Sequence, residues 1–308
     1  MAFYFHEHGQ KVISTLFAAI GIGVLSITVS EIAEILSERL HEPYGSFVLT
    51  ISAVVVEILL LYIILLQVHH SPEVINTVKG SIISAVIVDM NVLLGFAIFL
   101  GGLNFTEQEH NKETSSTYTT VLYVASVALL VPSLLGSSKH QFSQVIQASQ
   151  IIALLLFIFY LIIVIFQTKT HTHFFKQTAR SRIFRMKRKI KENGISAGIS
   201  GLIIAIISVS PEMVTAVKAA RNDEIQRVIN ISMGASTVSI LITVPVLMFL
   251  AFIADIPLAL NFNPLEIGAL ILTIILVWKT TDEGHTNYFE GISHLMFFMG
   301  YAIIAAYF

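Results

Sequence analysis

Cysteine is absent from the 308 residues and charge is scarce: Asp, Glu, Lys and Arg make up 12% of the chain against 55% hydrophobic residues, with a mean hydropathy of +0.79. Without cysteine there is no disulfide, no thiolate nucleophile and no Cys-ligated zinc or iron-sulfur centre. A soluble domain carries roughly 25% charged residues, so the scarcity of charge excludes that class and marks an integral membrane protein. The net charge of −2 leaves no global basic surface and removes nucleic acid from the expected partners. There is also no P-loop, no HExxH pair and no nucleophile elbow. ATP-driven pumping and hydrolysis have no motif to rest on, and no enzyme is expected. The first residues, MAFYFHEHGQK, lack the charged start and small-residue cleavage site of a signal peptide, so the first apolar run is expected to stay in the mature chain.

Long apolar runs are abundant. A helix needs roughly 20 mostly apolar residues to cross the hydrocarbon, and nine such runs lie near residues 12–37, 46–68, 77–102, 118–136, 144–167, 195–217, 226–253, 264–280 and 288–308. They are continuous and rich in Leu, Ile, Val and Phe, without the alternation of a barrel strand, so the expected fold is an all-α polytopic bundle. The links are short and rich in turn residues, such as His69-His70-Ser71-Pro72. Residues 168–193 are the exception and hold nine of the 18 Lys and Arg, which places that stretch on the cytoplasmic side. Topological anchoring is its simplest use, with anionic-lipid binding the alternative.

A few charges lie inside the runs. Glu57 is the one ionisable acid of residues 46–68, and Glu212, directly after Pro211, is the one acid of residues 195–217. A carboxylate at mid-bilayer depth costs a few kcal/mol unless protonated, paired or metal-bound, so an isolated one signals function before packing. Proline inside a span frees a carbonyl that a cation can use. The span after each Glu is flecked with polar and small residues: Ser81, Ser84, Asp89, Asn91 and Gly95 in one, and Asn230, Ser232, Gly234, Ser236, Thr237 and Ser239 in the other. Oxygen groups of this kind complete a shell around a hard cation, although for any single Ser or Thr close helix packing is an equally good reading. Asn91 and Ser236 are the preferred partners of Glu57 and Glu212; Asp89, Ser52, Ser210, Asn230 and Gly234 are secondary candidates. A Glu-bearing span followed by a polar-flecked span thus occurs twice, as expected of a transporter with its site at the midplane.

The residues that carry this duplication also carry a resemblance. Glu38-Arg39-Leu40-His41-Glu42-Pro43-Tyr44-Gly45, the stretch on to Val56-Glu57, Pro211-Glu212, Ala216 to Asn222, and Gln226 to Asn230 are similar to the bacterial calcium:proton (sodium, potassium:proton) antiporters of the calcium/cation antiporter superfamily. The resemblance implies two inverted five-helix repeats, which with the runs counted above gives about nine to ten transmembrane helices, with one Glu from each repeat, Glu57 and Glu212, binding the cation and releasing it when protonated. It also implies that Asn91 and Gly234-Ala235-Ser236 are the matching polar segments of the second helices. The expected function is secondary active export of Ca2+ in exchange for H+ by alternating access. Na+ or K+ exchange for H+ is the near alternative and a cation channel the more distant one. No permanently bound cofactor is expected; Ca2+, Na+ or K+ and H+ are cargo. The expected partners are the lipid bilayer and the transported cations, with self-association left open, and the expected location is the inner membrane of a prokaryote.

The chain then divides into a first repeat over residues 1–167, a basic loop over 168–194 and a second repeat over 195–308. Five runs precede the loop and four follow it, so the second repeat reads one helix short. One further helix between residues 167 and 195 would restore both the inverted symmetry and the positive-inside balance. Oxygen-only ligation suits a hard cation, since the chain has no cysteine and, on this reading, no histidine inside the repeated spans. Glu31 and Glu34, three apart, serve either as an entry path or as interfacial acids. His69-His70 and His171-His173 are read as loop histidines without a third ligand, and Glu107, Glu109 and Glu113 as a solvated acidic connection.

Overall fold

The computed structural model describes residues 40, 44–72, 74–137, 141–175 and 210–307. The run at 12–37, with Glu31 and Glu34, and residues 176–209, where the second repeat reads one helix short, lie outside the described residues. Among those described, seven helical segments are long and apolar enough to cross a membrane, and they coincide with seven of the nine expected runs. Of the run at 195–217 only the part from Ser210 onward is described, and it is helical.

In chain order the helices are α1 (Tyr44–Leu65), α2 (Val74–Val88), α3 (Leu94–Gly102), α4 (Lys112–Ser137), α5 (Phe142–Ile165), α6 (Ser210–Arg221), α7 (Ile225–Val238), α8 (Val244–Ile253), α9 (Pro264–Thr281) and α10 (Tyr288–Tyr307). α2 runs into α3 through a π turn at Asp89–Leu93, and α7 into α8 through another at Ser239–Thr243, so each pair forms one span with a widened turn at mid-length. In the first, the Leu94 N–H reaches back to the Asp89 carbonyl, five residues earlier. In the second, Pro245 follows the wide turn closely, where the looser backbone accommodates a ring that a regular helix would reject. Such turns add a residue to the helix and rotate the side chains that follow.

These two spans form the centre. Every residue of α7 is buried, whereas α1 and α5 present rows of exposed Leu, Ile, Val and Phe, the surface expected toward lipid tails. α1 packs on α7, and α6 on α3; α5 packs on the second π turn and α8, and α10 on the first π turn and α3; α2 packs on α9, and α7 on α4. Exchanging α1 with α6, α2–α3 with α7–α8, α4 with α9 and α5 with α10 maps these contacts onto one another, and the α4–α9 contact onto itself.

Helix starts are fixed by short-range chemistry. Asn263 Oδ1 accepts from the Leu265 N–H at 3.0 Å, and Glu266 Oε2 accepts from the Asn263 N–H at 2.9 Å, a reciprocal cap ahead of Pro264. Asn287 and Glu290 repeat it at the start of α10, with bonds of 3.0 and 2.9 Å. Glu266 and Glu290 are therefore capping acids. A two-stranded antiparallel ribbon, β1 (Gln108–Glu109) and β2 (His285–Thr286), ties the start of α4 to that of α10.

Among the described residues, α3 and α10 approach each other very closely. A Cβ placed on Gly291 would stand 2.4 Å from the Phe99 nitrogen and 2.6 Å from the Gly95 carbonyl oxygen. Gly291→Val must force these backbones apart, and overpacking of this kind costs about 1–3 kcal/mol. The expected result is a lower thermal unfolding midpoint for the purified protein in detergent, with a midpoint equal to wild type contradicting the contact.

Candidate functional site

α1 brings Glu57 against the second π turn. Its Oε2 accepts from Ser239 Oγ at 2.9 Å and from Thr243 Oγ1 at 3.4 Å, two hydroxyls four residues apart on one face of that turn. Its Oε1 is sealed from solvent and has no hydrogen-bond partner among the described residues. Glu212, in the first turn of α6, is buried and likewise keeps Oε1 without a partner. Asp89 opens the first π turn, is buried, and accepts from Ser236 Oγ of α7 at 3.3 Å.

The three carboxylates lie within electrostatic reach of one another: Asp89 is acted on by Glu212 and Glu57, and Glu212 by Glu57. Among the described residues no Lys or Arg acts on any of them. Four elements from both halves of the chain, α1, the first π turn, α6 and α7 with its π turn, thus converge on one acidic centre. It is not a closed metal cage, since among the described residues no three His, Asp or Glu side chains stand close enough together to hold a metal ion.

The remaining candidates are placed as follows. Ser236 joins the centre through Asp89. Asn91, two residues beyond Asp89, is turned toward α9 and α10. Its Nδ2 donates to the Ile87 carbonyl at 3.0 Å and to Thr273 Oγ1 at 2.9 Å, and its Oδ1 faces His294 Nδ1 at 3.1 Å. Asn230 is also engaged elsewhere, donating to the Phe175 carbonyl at 2.9 Å and accepting from Gln226 Nε2 at 3.1 Å. Gly234 lets Tyr118 and Thr50 approach α7: a Cβ there would meet Tyr118 Oη at 3.5 Å and Thr50 Oγ1 at 3.7 Å, ordinary contacts. Ser52 is half-buried on α1, between Thr50 and Glu57. Ser210 begins α6, and its side chain lies outside what is described. Of the loop histidines, His171 stacks on Phe166 with ring centroids 4.1 Å apart.

Three features escaped the sequence reading. Thr243 joins Ser239, already among the polar flecks of its span, in holding Glu57, and the spacing of four between them was the available signal. His294 lies within the α10 span and is fully buried, which corrects the expectation of no histidine inside the repeated spans. Its signal was a lone imidazole in the apolar run HLMFFMGYAII.

The third is a polar junction where the α6–α7 turn meets the ribbon. Asp223, at φ 61°, takes the left-handed conformation that an Asp tolerates better than most residues and lets the chain reverse there. Buried Gln108 of β1 donates to the Ala220 carbonyl at 2.9 Å and to Asp223 Oδ1 at 3.3 Å. The Asn111 N–H donates to Gln226 Oε1 at 2.6 Å. Gln226 and Asn230, which belong to the block carrying the resemblance, therefore brace this junction.

The centre and the helices around it define a polytopic membrane protein with carboxylates at its core, and comparison with known proteins gives the class. The model of the sodium/calcium exchanger protein family matches residues 10–169 and 183–307, and the chain belongs to that family. It is a family of transporters, not enzymes. The chain is 26% identical over 324 residues to the sodium-potassium/proton antiporter ChaA of Escherichia coli K12, covering 93% of this chain and 87% of that protein. It is 23% identical to a Ca(2+)/H(+) antiporter of Synechocystis, over 81% of this chain and 78% of that one. The solved structure of native YfkE superposes with a TM-score of 0.71 at 21% identity, over 94% of this chain and 91% of that one, which shows a shared fold.

The junction generates a pH dependence. His110, which precedes α4 outside the spans, is buried, and its Nε2 lies 3.2 Å from the Thr281 carbonyl. Burial pushes its imidazole down from the ordinary 6.5 to about 4, against the pull of that carbonyl. Between those values the unfolded chain binds a proton that folded His110 refuses. Its contribution to stability is therefore complete above pH 6.5 and lost as pH falls toward 4. The full effect is about 3 kcal/mol. The unfolding midpoint of wild type is expected to fall more steeply across that window than that of His110→Gln; equal slopes would contradict the assignment.

Proposed function

We propose that this chain is a secondary active cation:proton antiporter that exports Ca2+ in exchange for H+ by alternating access, with Glu57 and Glu212 binding cation and protons in turn. The observation that carries the reading is that both intramembrane glutamates keep a buried carboxylate oxygen without a donor among the described residues, while the charges acting on the centre are their own and that of Asp89. Carboxylates in a water-poor site without a basic partner do not all stay ionised unless a cation joins them. Protons neutralise the centre when the cation leaves, and the cation displaces them when it binds. That exclusion is the exchange.

The donors around the centre are all oxygen, the Glu57 and Glu212 carboxylates with Asp89 and the hydroxyls of Ser236, Ser239 and Thr243 beside them, which suits a hard cation, and the charge favours a divalent ion over a monovalent one. Exchange of Na+ or K+ for H+ is the second reading, favoured by the likeness to ChaA. Two repeats of opposite orientation, residues 1–167 and 195–308 flanking the basic loop, form part of the proposal. The self-mapping helix contacts support it, as do π turns reached after 15 residues in α2 and 14 in α7. The bacterial relatives support a prokaryotic inner membrane as its place.

In inverted vesicles, Glu57→Gln and Glu212→Gln are each expected to abolish cation-driven proton movement while the protein remains inserted and folded. Activity retained in either variant removes that residue from the mechanism. Replacing both donors to Glu57, Ser239→Ala with Thr243→Val, is expected to raise the KM for Ca2+ about tenfold, the worth of one hydrogen bond to a charged group. An unchanged KM would show that these hydroxyls do not shape the site.

A further inference from the structure

Behind the π turn that carries Asp89 lies a second buried polar cluster, which the exchange chemistry leaves unused. His294 of α10 places Nδ1 3.1 Å from Asn91 Oδ1 and Nε2 3.0 Å from Thr280 Oγ1. Asn91 directs its amide hydrogens to the Ile87 carbonyl and to Thr273 Oγ1. Those bonds assign the remaining hydrogens: Asn91 Oδ1 only accepts, so Nδ1 of the imidazole carries the proton and donates it. Nε2 then accepts from the Thr280 hydroxyl, which shares its proton with the Leu276 carbonyl at 2.9 Å. The ring reaches this far because glycines line the α3–α10 contact: a Cβ on Gly95 would stand 2.5 Å from the Cβ of His294.

Asn91 and Asp89 belong to the same π turn and, two residues apart, project to roughly opposite sides of it. Asn91 is held by α9 and α10, and Asp89 by Ser236 of α7. A π turn is a departure from regular helix and keeps its shape only where tertiary contacts hold it. We propose that His294 is a positioning residue for the cation site: through Asn91 it fixes the π turn between α2 and α3 in the register that presents Asp89 to Ser236 and to the two glutamates. The inference rests on the reading of the acidic centre as the cation site. His294 touches none of the three acids, so its effect is that of an outer partner of a metal ligand, whose loss typically lowers metal affinity about ten- to a hundredfold.

The test compares wild type, His294→Leu and His294→Asn in Ca2+-driven proton exchange by inverted vesicles and in Ca2+ binding by the purified full chain. Leu occupies the space without a donor and is expected to raise the KM and Kd for Ca2+ about tenfold or more, with the maximal rate little changed. Asn keeps a short N–H where Nδ1 stands and is expected to bring both values back to within about threefold of wild type. A KM unchanged in His294→Leu, or His294→Asn impaired as far as His294→Leu, overturns the proposal. Where His294→Leu yields no folded protein, His294→Gln, whose amide sits one carbon too far out, takes its place with the same expectation. Failure of the underlying site reading looks different: Glu57→Gln or Glu212→Gln would then retain exchange, whatever the variants at position 294 do.

Discussion

The rest of the structure depends on burying carboxylates in a membrane protein's centre with no basic partner among the described residues. Glu57, Asp89 and Glu212 act on one another, and the hydrogen bonds to Glu57 and Asp89 come from hydroxyls, which stabilise a carboxylate without cancelling its charge. An Arg or Lys beside them would make a stable ion pair and an idle protein. On the proposed reading, leaving the charge unbalanced makes the centre depend on whatever mobile cation or proton occupies it, as an exchanger requires.

The helices serve that constraint. Among the described spans, the one that carries Asp89 and the one that carries Ser236, Ser239 and Thr243 are the most buried, 72% and 67% of their apolar stretches, against 17% for the span that carries Glu57. Both central spans widen into a π turn at the level of the site, one placing Asp89 and the other placing Ser239 and Thr243. Around them, capped helix starts at Asn263 and Asn287 and the small ribbon hold the periphery with ordinary short-range bonds.

Much of this was legible in the sequence, because burial in lipid is a strong constraint. A run of about 20 apolar residues has few structural options, so seven runs and their links were readable, and Glu57 and Glu212 stood out as lone acids. What was not legible turns on side-chain direction. Asn91 and Asp89 are two residues apart, and a regular helix gives no means of knowing which a π turn will aim at α7. Asn230 looked like a site amide and instead secures the Phe175 carbonyl, 55 residues away in sequence, a contact that no local pattern announces. His294 meets Asn91 across 203 residues, for the same reason. Chemistry-bearing residues were visible; their partners were set by tertiary packing.

The central claim is that one set of carboxylates holds either protons or the cation. It is tested most directly by following pH while Ca2+ is added to the purified full chain in weakly buffered detergent solution. Protons should appear in the medium in step with Ca2+ binding and should be reduced or absent when either Glu57 or Glu212 is replaced by Gln. Ca2+ that binds tightly without releasing protons would contradict the shared site.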